Sequence, residues 1–138
     1  MMVRAPMTSS LRVLCVIGLA VACQDPPVAL TSENNVRVTN NPGFFRLQAD
    51  NMDNVIDDTT FTWVATDSQA KVLHRSLIPH GEADIEVRDA DSLVVYSGIL
   101  DYEKDSITKP PGAPGPWTIN IKILGATGKI DVTLETPP

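Results

Sequence analysis

The chain has 138 residues and carries 17 acidic residues against 11 basic ones, which gives a formal net charge of −6. A chain of this length holds one ordinary domain. Its acidic surface would repel phosphate backbones, which argues against nucleic acid as a partner.

The N-terminus is predicted to be a secretory signal peptide over residues 1–22. Arg4 and Arg12 precede an apolar run of ten residues, VLCVIGLAVA, whereas a helix that crosses a bilayer needs ~20. The run ends in small residues, as a signal cleavage site does. Translation could start at Met1, Met2 or Met7.

Cys23 directly follows those small residues and would be the first residue and sole cysteine of the mature chain. The segment Ala20-Val21-Ala22-Cys23 resembles the lipobox of bacterial lipoproteins, although that family usually has Leu in place of Ala20. The resemblance implies that the Cys23 sulfur receives a diacylglyceryl group and that acyl chains anchor the protein on the periplasmic or outer face of a bacterial envelope. The alternative is a soluble secreted protein, because the same small residues also fit ordinary signal cleavage.

The segment that follows, QDPPVALTSENN at 24–35, is polar, contains paired prolines and has no hydrophobic period. Together with Cys23 it predicts a flexible tether over residues 23–35. Such a tether would let an anchored domain stand off the membrane.

From residue 36 onward, apolar and polar residues alternate, which is the pattern of half-buried β-strands. Strands are expected near 36–39, 45–50, 60–65, 70–78, 82–88, 93–100, 117–123 and 129–135, with a polar connection at 51–58 and a long loop at 101–115. Because turn signals separate these segments and no helical period occurs, we predict an all-β fold, a single antiparallel β-sandwich of about seven or eight strands over residues 36–136, immunoglobulin-like or jelly-roll-like. The core is expected to contain Phe45, Leu47, Phe61, Trp63, Ile85, Val87, Val95, Trp117, Ile119, Ile121, Ile130, Val132 and Leu134.

Two stretches, GEADIEVRDADSLVVY at 81–96 and GAPGPWTINIKILGATGKIDV at 112–132, resemble small sandwich modules appended to bacterial exported proteins. In those modules a strand ends in Asp, a tight turn leads to a strand with a tyrosine, and Pro-Gly-x-Trp opens the penultimate strand. The resemblance implies a fold and carries no activity.

An acidic run in and beside the connection 51–58 is either a calcium site or a solvated link. Calcium takes about six to eight oxygen ligands, and Asp50, Asp53, Asp57 and Asp58 could supply carboxylates. Their spacing matches no calcium loop, and the run lacks the glycine of a sharp turn, so the solvated link is the favoured interpretation.

The proline-rich loop ITKPPGAPGPW at 107–117 is the other candidate for binding. Prolines such as Pro110 and Pro111 stiffen an extended segment and lower the entropy cost of docking a partner. Tyr102 and Trp117 flank the loop, and aromatic side chains at such edges recognise sugars or peptides. The alternative is a rigid crossover, with Trp117 in the core because it is in phase with the strand that follows.

No nucleophile motif and no phosphate-binding glycine loop occur in the sequence. His74 and His80 lie on either side of a strand end, and because nothing in the sequence brings them together with a carboxylate on one metal, both are expected on the surface. We therefore predict a non-catalytic binding or structural module of the bacterial cell envelope, held by a lipid at Cys23. Its expected partner is an envelope protein or a polysaccharide, and no cofactor is expected. The alternatives are a calcium-dependent or carbohydrate-binding β-sandwich, and a hydrolase is the least favoured.

Overall fold

Two long antiparallel strands, β2 (Phe44–Ala65) and β7 (Gly115–Glu135), form the centre of the fold. The computed structural model describes residues 27–138, which contain an antiparallel sheet of seven strands and one short 3₁₀ helix, Ser32–Asn34. The other strands are β1 (Arg37–Asn41), β3 (Lys71–Arg75), β4 (Leu77–Arg88), β5 (Val94–Ile99) and β6 (Glu103–Ile107). Within these residues no helix has the length and apolar character needed to cross a membrane.

The two long strands each have two different sets of neighbours. β1 lies beside the first part of β2, and β3, followed by β6, lies beside the last residues of β7. β4 pairs with the earlier part of β7, and β5 pairs with β4. Each long strand therefore runs through two layers, one completed by β1, β3 and β6 and the other by β4 and β5.

β2 bends in its middle and doubles back on itself. A straight strand of its length would span roughly 70 Å at about 3.3 Å per residue, yet the Gly43 N–H, just before β2, donates to the Val64 carbonyl at 2.9 Å. The register of β2 against β7 shifts three times between Ala49 and Ile56, and extra residues of this kind bend a strand. The bend turns the two layers face to face, so the predicted sandwich-like all-β fold is confirmed.

The bend comprises residues 49–56 of β2 and 124–128 of β7, and it uses backbone conformations that few residues adopt. Asn51 and Asn54 have φ angles of 54° and 49°, and asparagine occupies this left-handed region more readily than most residues. Gly128 has a φ of 129°, and a Cβ at this position would collide with the Leu77 carbonyl of β4. Two asparagines and a glycine thus permit the local geometry that folds the sheet over.

The core lies between the two layers. Trp63 and Trp117 face each other across β2 and β7, fully buried and in edge-to-face contact with ring centroids 5.7 Å apart. Every residue predicted for the core is buried except Phe61, which is partly buried and packs on Phe45 at 5.3 Å. The buried apolar residues that the prediction did not include are Ala49, Met52, Val55, Ala65, Ala70, Val72, Ile78, Ala83, Tyr96, Leu100, Ile123 and Ala126.

Several predicted strand boundaries are wrong. The polar connection expected at 51–58 is strand, because these residues continue β2 through the bend. The two strands expected after residue 115 form the single strand β7, and the loop expected at 101–115 contains β6. These errors share a physical cause: polar residues and glycines inside a bent or edge strand have the composition of a turn.

Residues 28–35 lie against the bend, whereas the sequence predicted a flexible tether there. The Val28 N–H donates to the Asn54 carbonyl at 3.3 Å, and the Ile56 N–H donates to the Val28 carbonyl at 2.9 Å, so the segment forms a short parallel bridge with β2. The chain is therefore held on the domain from Val28 onward. The predicted signal peptide and the cysteine of the lipobox fall within residues 1–26, outside the described part of the chain.

Candidate functional site

The acidic residues considered as calcium ligands accept hydrogen bonds that hold chain segments together. The Leu30 N–H donates to Oδ2 of Asp57 at 3.0 Å, and the Asp58 N–H donates to Oδ1 of Asp57 at 2.7 Å. The Asn120 side chain of β7 donates to Oδ1 of Asp58 at 2.7 Å. Asp57 thereby fixes the N-terminal segment to the bend, and Asp58 helps to join β2 to β7.

The other two carboxylates of this run do not converge with them on one point. The Thr127 hydroxyl donates a long hydrogen bond of 3.4 Å to Asp53, and Asp50 is exposed. Within residues 27–138, no three His, Cys, Asp or Glu side chains are grouped so that they could hold a metal ion. The four carboxylates are instead spread along a bent strand.

His74 lies in the core, so the prediction of two surface histidines is wrong for this residue. It is fully buried on β3, and its Nε2 lies 3.0 Å from the Tyr96 hydroxyl on β5, with the two rings edge to face at 5.6 Å. The pair connects one layer of the sandwich to the other. His80 is exposed on β4, as predicted.

The surroundings of His74 favour its neutral form. Burial is the main reason that its pKa is lowered, and the positive charges of Lys104 and Arg75 add to the effect, while the Ile99 backbone opposes it. Nδ1 makes no hydrogen bond of normal geometry to any residue between 27 and 138. A buried neutral ring without access to solvent serves packing, and its protonation would be costly.

The loop 107–117 buries its aromatic end and exposes its proline end. Trp117 is fully buried, and its Nε1 donates to a carbonyl of the same loop at 2.7 Å. The burial of Trp117 confirms the core position that its phase with the following strand predicts. Its side chain is therefore not available to contact a partner. Pro110, which follows a cis peptide bond, and Pro111 are exposed, and Tyr102 is about half exposed just before β6.

Asp89 holds this loop in position, a role that the sequence pattern does not reveal. Its Oδ1 accepts hydrogen bonds from the N–H groups of Asp91 and Leu93 at 3.0 and 2.8 Å, and its Oδ2 accepts one from the Ala113 N–H at 2.8 Å. These bonds, led by that of Ala113, lower the pKa of Asp89, although desolvation opposes them. An ionised carboxylate therefore ties the β4–β5 turn to the proline-rich loop.

A groove of about 840 Å³ opens beside the loop, a volume within the usual range of ligand sites. Ile107, Pro137 and Pro138 give it apolar contacts, and Lys71 and Lys109 add positive charge. Acidic side chains from β6 and β7 also line it, so the groove offers both signs of charge around an apolar surface.

The strand register places this groove at the end of the domain opposite the bend. Glu135, which lines the groove, pairs with Phe44 of β2 and with Lys71 of β3, and Lys71 pairs in turn with Ile107 of β6. Phe44 is the first residue of β2. At about 3.3 Å per residue, it lies roughly 26 Å along the strand from Met52 in the bend.

A second, smaller concavity of about 410 Å³ lies on the outer face of β4, β5 and β7. Its polar lining includes Asp84, Glu86 and Lys122, and none of its lining residues is aromatic. It therefore lacks a ring on which a sugar could stack. The same is true of the larger groove.

The chain matches no protein-family model, and no curated protein sequence matches it. Its function has to be inferred from its own residues.

Proposed function

We propose that the protein is an exported, lipid-anchored, non-catalytic binding module of a bacterial cell envelope, and that its groove holds an extended peptide segment of another envelope protein. The observation that carries this proposal is the placement of the N-terminal attachment and the groove at opposite ends of the domain.

The N-terminal chain joins the domain at the bend, where Val28 bridges to β2. The groove lies at the other end, beside the first residue of β2 and the last of β7. A lipid on Cys23 would hold the bend near a membrane and leave the groove pointing away from it. This arrangement suits a module that presents a binding surface to a partner in the envelope.

The edge strand β6 favours a peptide as the ligand. β6 pairs with β3, and no other strand within residues 27–138 pairs with it. An antiparallel strand directs alternate backbone groups to its two sides, so an open edge can accept an extended peptide as an added strand. Ile107 at the end of β6 is 56% exposed and could pack on such a peptide. A polysaccharide fits the two concavities less well, because neither has an aromatic lining residue on which a sugar ring could stack.

Site-specific photocrosslinking in bacterial cells tests the groove. A photoreactive amino acid at position 107 should give an adduct in which mass spectrometry finds peptides of a second protein, because the partner is a protein. The matched control is position 38, since Val38 is 44% exposed but lies on β1, at the edge of the same layer opposite β6, and does not line the groove. Equal adducts at both positions, or none at 107, would contradict the assignment of the groove. An adduct that glycan-degrading enzymes shorten and that contains no peptide of a second protein would indicate a polysaccharide instead.

Mass spectrometry of the mature N-terminus tests the anchor. We expect an acylated Cys23 as the first residue and a membrane-bound protein. The Cys23→Ser variant should lose the lipid and become soluble. An unmodified cysteine would leave a secreted module and contradict the anchor, without bearing on the groove.

A further inference from the structure

We propose that the outer surface of the bend, centred on Ile56 and Leu124, lies against the lipid bilayer when the protein is anchored. This inference rests on the lipid at Cys23 proposed above. It adds the orientation of the domain and the residues that meet the membrane.

The length of chain between the lipid and the domain is the first argument. Four residues, 24–27, separate Cys23 from Val28, and each step of a fully extended chain spans at most ~3.6 Å. The Cα atoms of Cys23 and Val28 can therefore be no more than roughly 18 Å apart. Val28 is hydrogen-bonded to the bend of β2, so the bend must stay within this distance of the lipid headgroups.

The second argument is an apolar pair on the surface that this short connection brings to the membrane. Ile56 of β2 and Leu124 of β7 are direct partners in the sheet, and their side chains are 47% and 42% exposed. Directly opposite residues on antiparallel strands have Cβ atoms about 5 Å apart. Their neighbours Val55 and Ile123 are buried, so the pair faces outward as one patch.

The charges around this patch indicate which lipids it suits. Glu82 is the partner of Leu124 on β4, and Asp58 pairs with Lys122 two residues further along the strands. Asp53 is also exposed at the bend. Because acidic side chains outnumber Lys122 and Lys129 here, an anionic lipid surface would repel this region. We expect the patch to contact zwitterionic headgroups, such as those of phosphatidylcholine or phosphatidylethanolamine.

Fluorescence quenching by spin-labelled lipids tests the orientation. Leu124→Cys is labelled with an environment-sensitive fluorophore in the full chain, produced in cells that attach the lipid. The new thiol is the labelling site, because the lipid blocks Cys23 and Cys15 belongs to the predicted signal peptide. The matched control is Asp91→Cys, an exposed position in the β4–β5 turn at the end of the domain opposite the bend.

On phosphatidylcholine vesicles that carry acyl-chain spin labels, quenching at position 124 should be several-fold larger than at position 91. Replacing much of the phosphatidylcholine by phosphatidylglycerol should reduce it. If the protein floats with the vesicles but both positions are quenched equally, or position 91 more, the orientation is wrong and the anchor stands. If the protein does not float, the anchor itself is contradicted, and this inference falls with it.

Discussion

Replacing Gly128 by alanine should destabilise the domain far more than the same change at Gly125 in the same bend. Gly128 has a φ of 129°, in a region that is essentially restricted to glycine. A Cβ there would collide with the Leu77 carbonyl and lie 2.9 Å from the Pro79 side chain. Gly125 has a φ of 61°, and its Cβ would meet the Asn54 side chain at 3.4 Å, an ordinary contact.

The two changes therefore differ in their expected free energies of unfolding. Alanine in the left-handed region at Gly125 should cost about 1 kcal/mol. At Gly128 the backbone strain alone costs about 1–3 kcal/mol, and relief of the collision requires β4 to move away from β7, so we expect a total loss of about 3 kcal/mol or more. Domains are stable by only about 5–15 kcal/mol. Since 1 kcal/mol lowers the Tm of a domain this size by about 4–8 °C, Gly128→Ala should lower it by at least ~12 °C.

Urea unfolding followed by tryptophan fluorescence is a suitable assay, because Trp63 and Trp117 are both buried in the core. The two alanine variants are compared with the parent in a soluble Cys23→Ser background at neutral pH. Equal losses of stability at Gly125 and Gly128 would refute the reasoning, because they would mean that β4 and β7 do not approach closely at the bend.

Three further predictions concern buried or bridging side chains. The pKa of His74 is lowered below its ordinary value of about 6.5, so the unfolded chain binds the proton more readily and the free energy of unfolding should fall as the pH drops below about 6.5. His74→Leu should remove this part of the pH dependence in urea unfolding. If the pH dependence is the same in the variant, His74 is not its cause. Asp89→Ala removes the acceptor for three backbone N–H groups and should speed proteolytic cleavage within 107–117, whereas equal cleavage rates would argue against its bridging role. Asp57→Ala should accelerate amide hydrogen exchange in residues 28–35, because it removes the acceptor for the Leu30 N–H; if exchange there is unaffected, that carboxylate does not hold the segment.

The sequence predicts the fold wherever the strands keep a two-residue period, and it fails at the bend for a specific reason. The buried residues there are Ala49, Met52 and Val55, three apart, while their partners on β7 advance by two residues each time. Asn51 and Asn54, with positive φ, are the extra residues. A period of three with asparagines between the apolar residues does not resemble a strand, so the segment was predicted as a polar connection.

The buried histidine was missed because both faces of its strand have ambiguous composition. His74 and Ser76 are polar yet buried, whereas Leu73 is partly exposed and Leu77 is exposed. A pattern of apolar and polar residues cannot assign the inner face when polar side chains occupy it. The burial of His74 becomes intelligible only when Tyr96 of the other layer supplies a hydroxyl for its ring.

The groove could not be predicted from local sequence at all. Its lining comes from three separate parts of the chain, residues 69–71, 105–109 and 135–138, which the pairing of β7, β3 and β6 brings together. The prediction finds one of these parts, the proline-rich loop, and leaves open whether its tryptophan is a contact or part of the core. The pairing register of strands that are distant in sequence brings the lining residues of such a site together, and this register cannot be derived from local composition.

The bulged segment of β2 connects the proposals with one another. Its asparagines permit the bend, and Asp57 and the Asn51 carbonyl hold residues 28–35 in place. The same segment determines where the chain leaves the domain toward Cys23, and by folding β2 back it determines that the groove lies at the opposite end. Variants that straighten the bend should therefore disturb both the contact with lipid and the contact with a partner. Variants confined to Cys23 or to Ile107 should disturb only one of them.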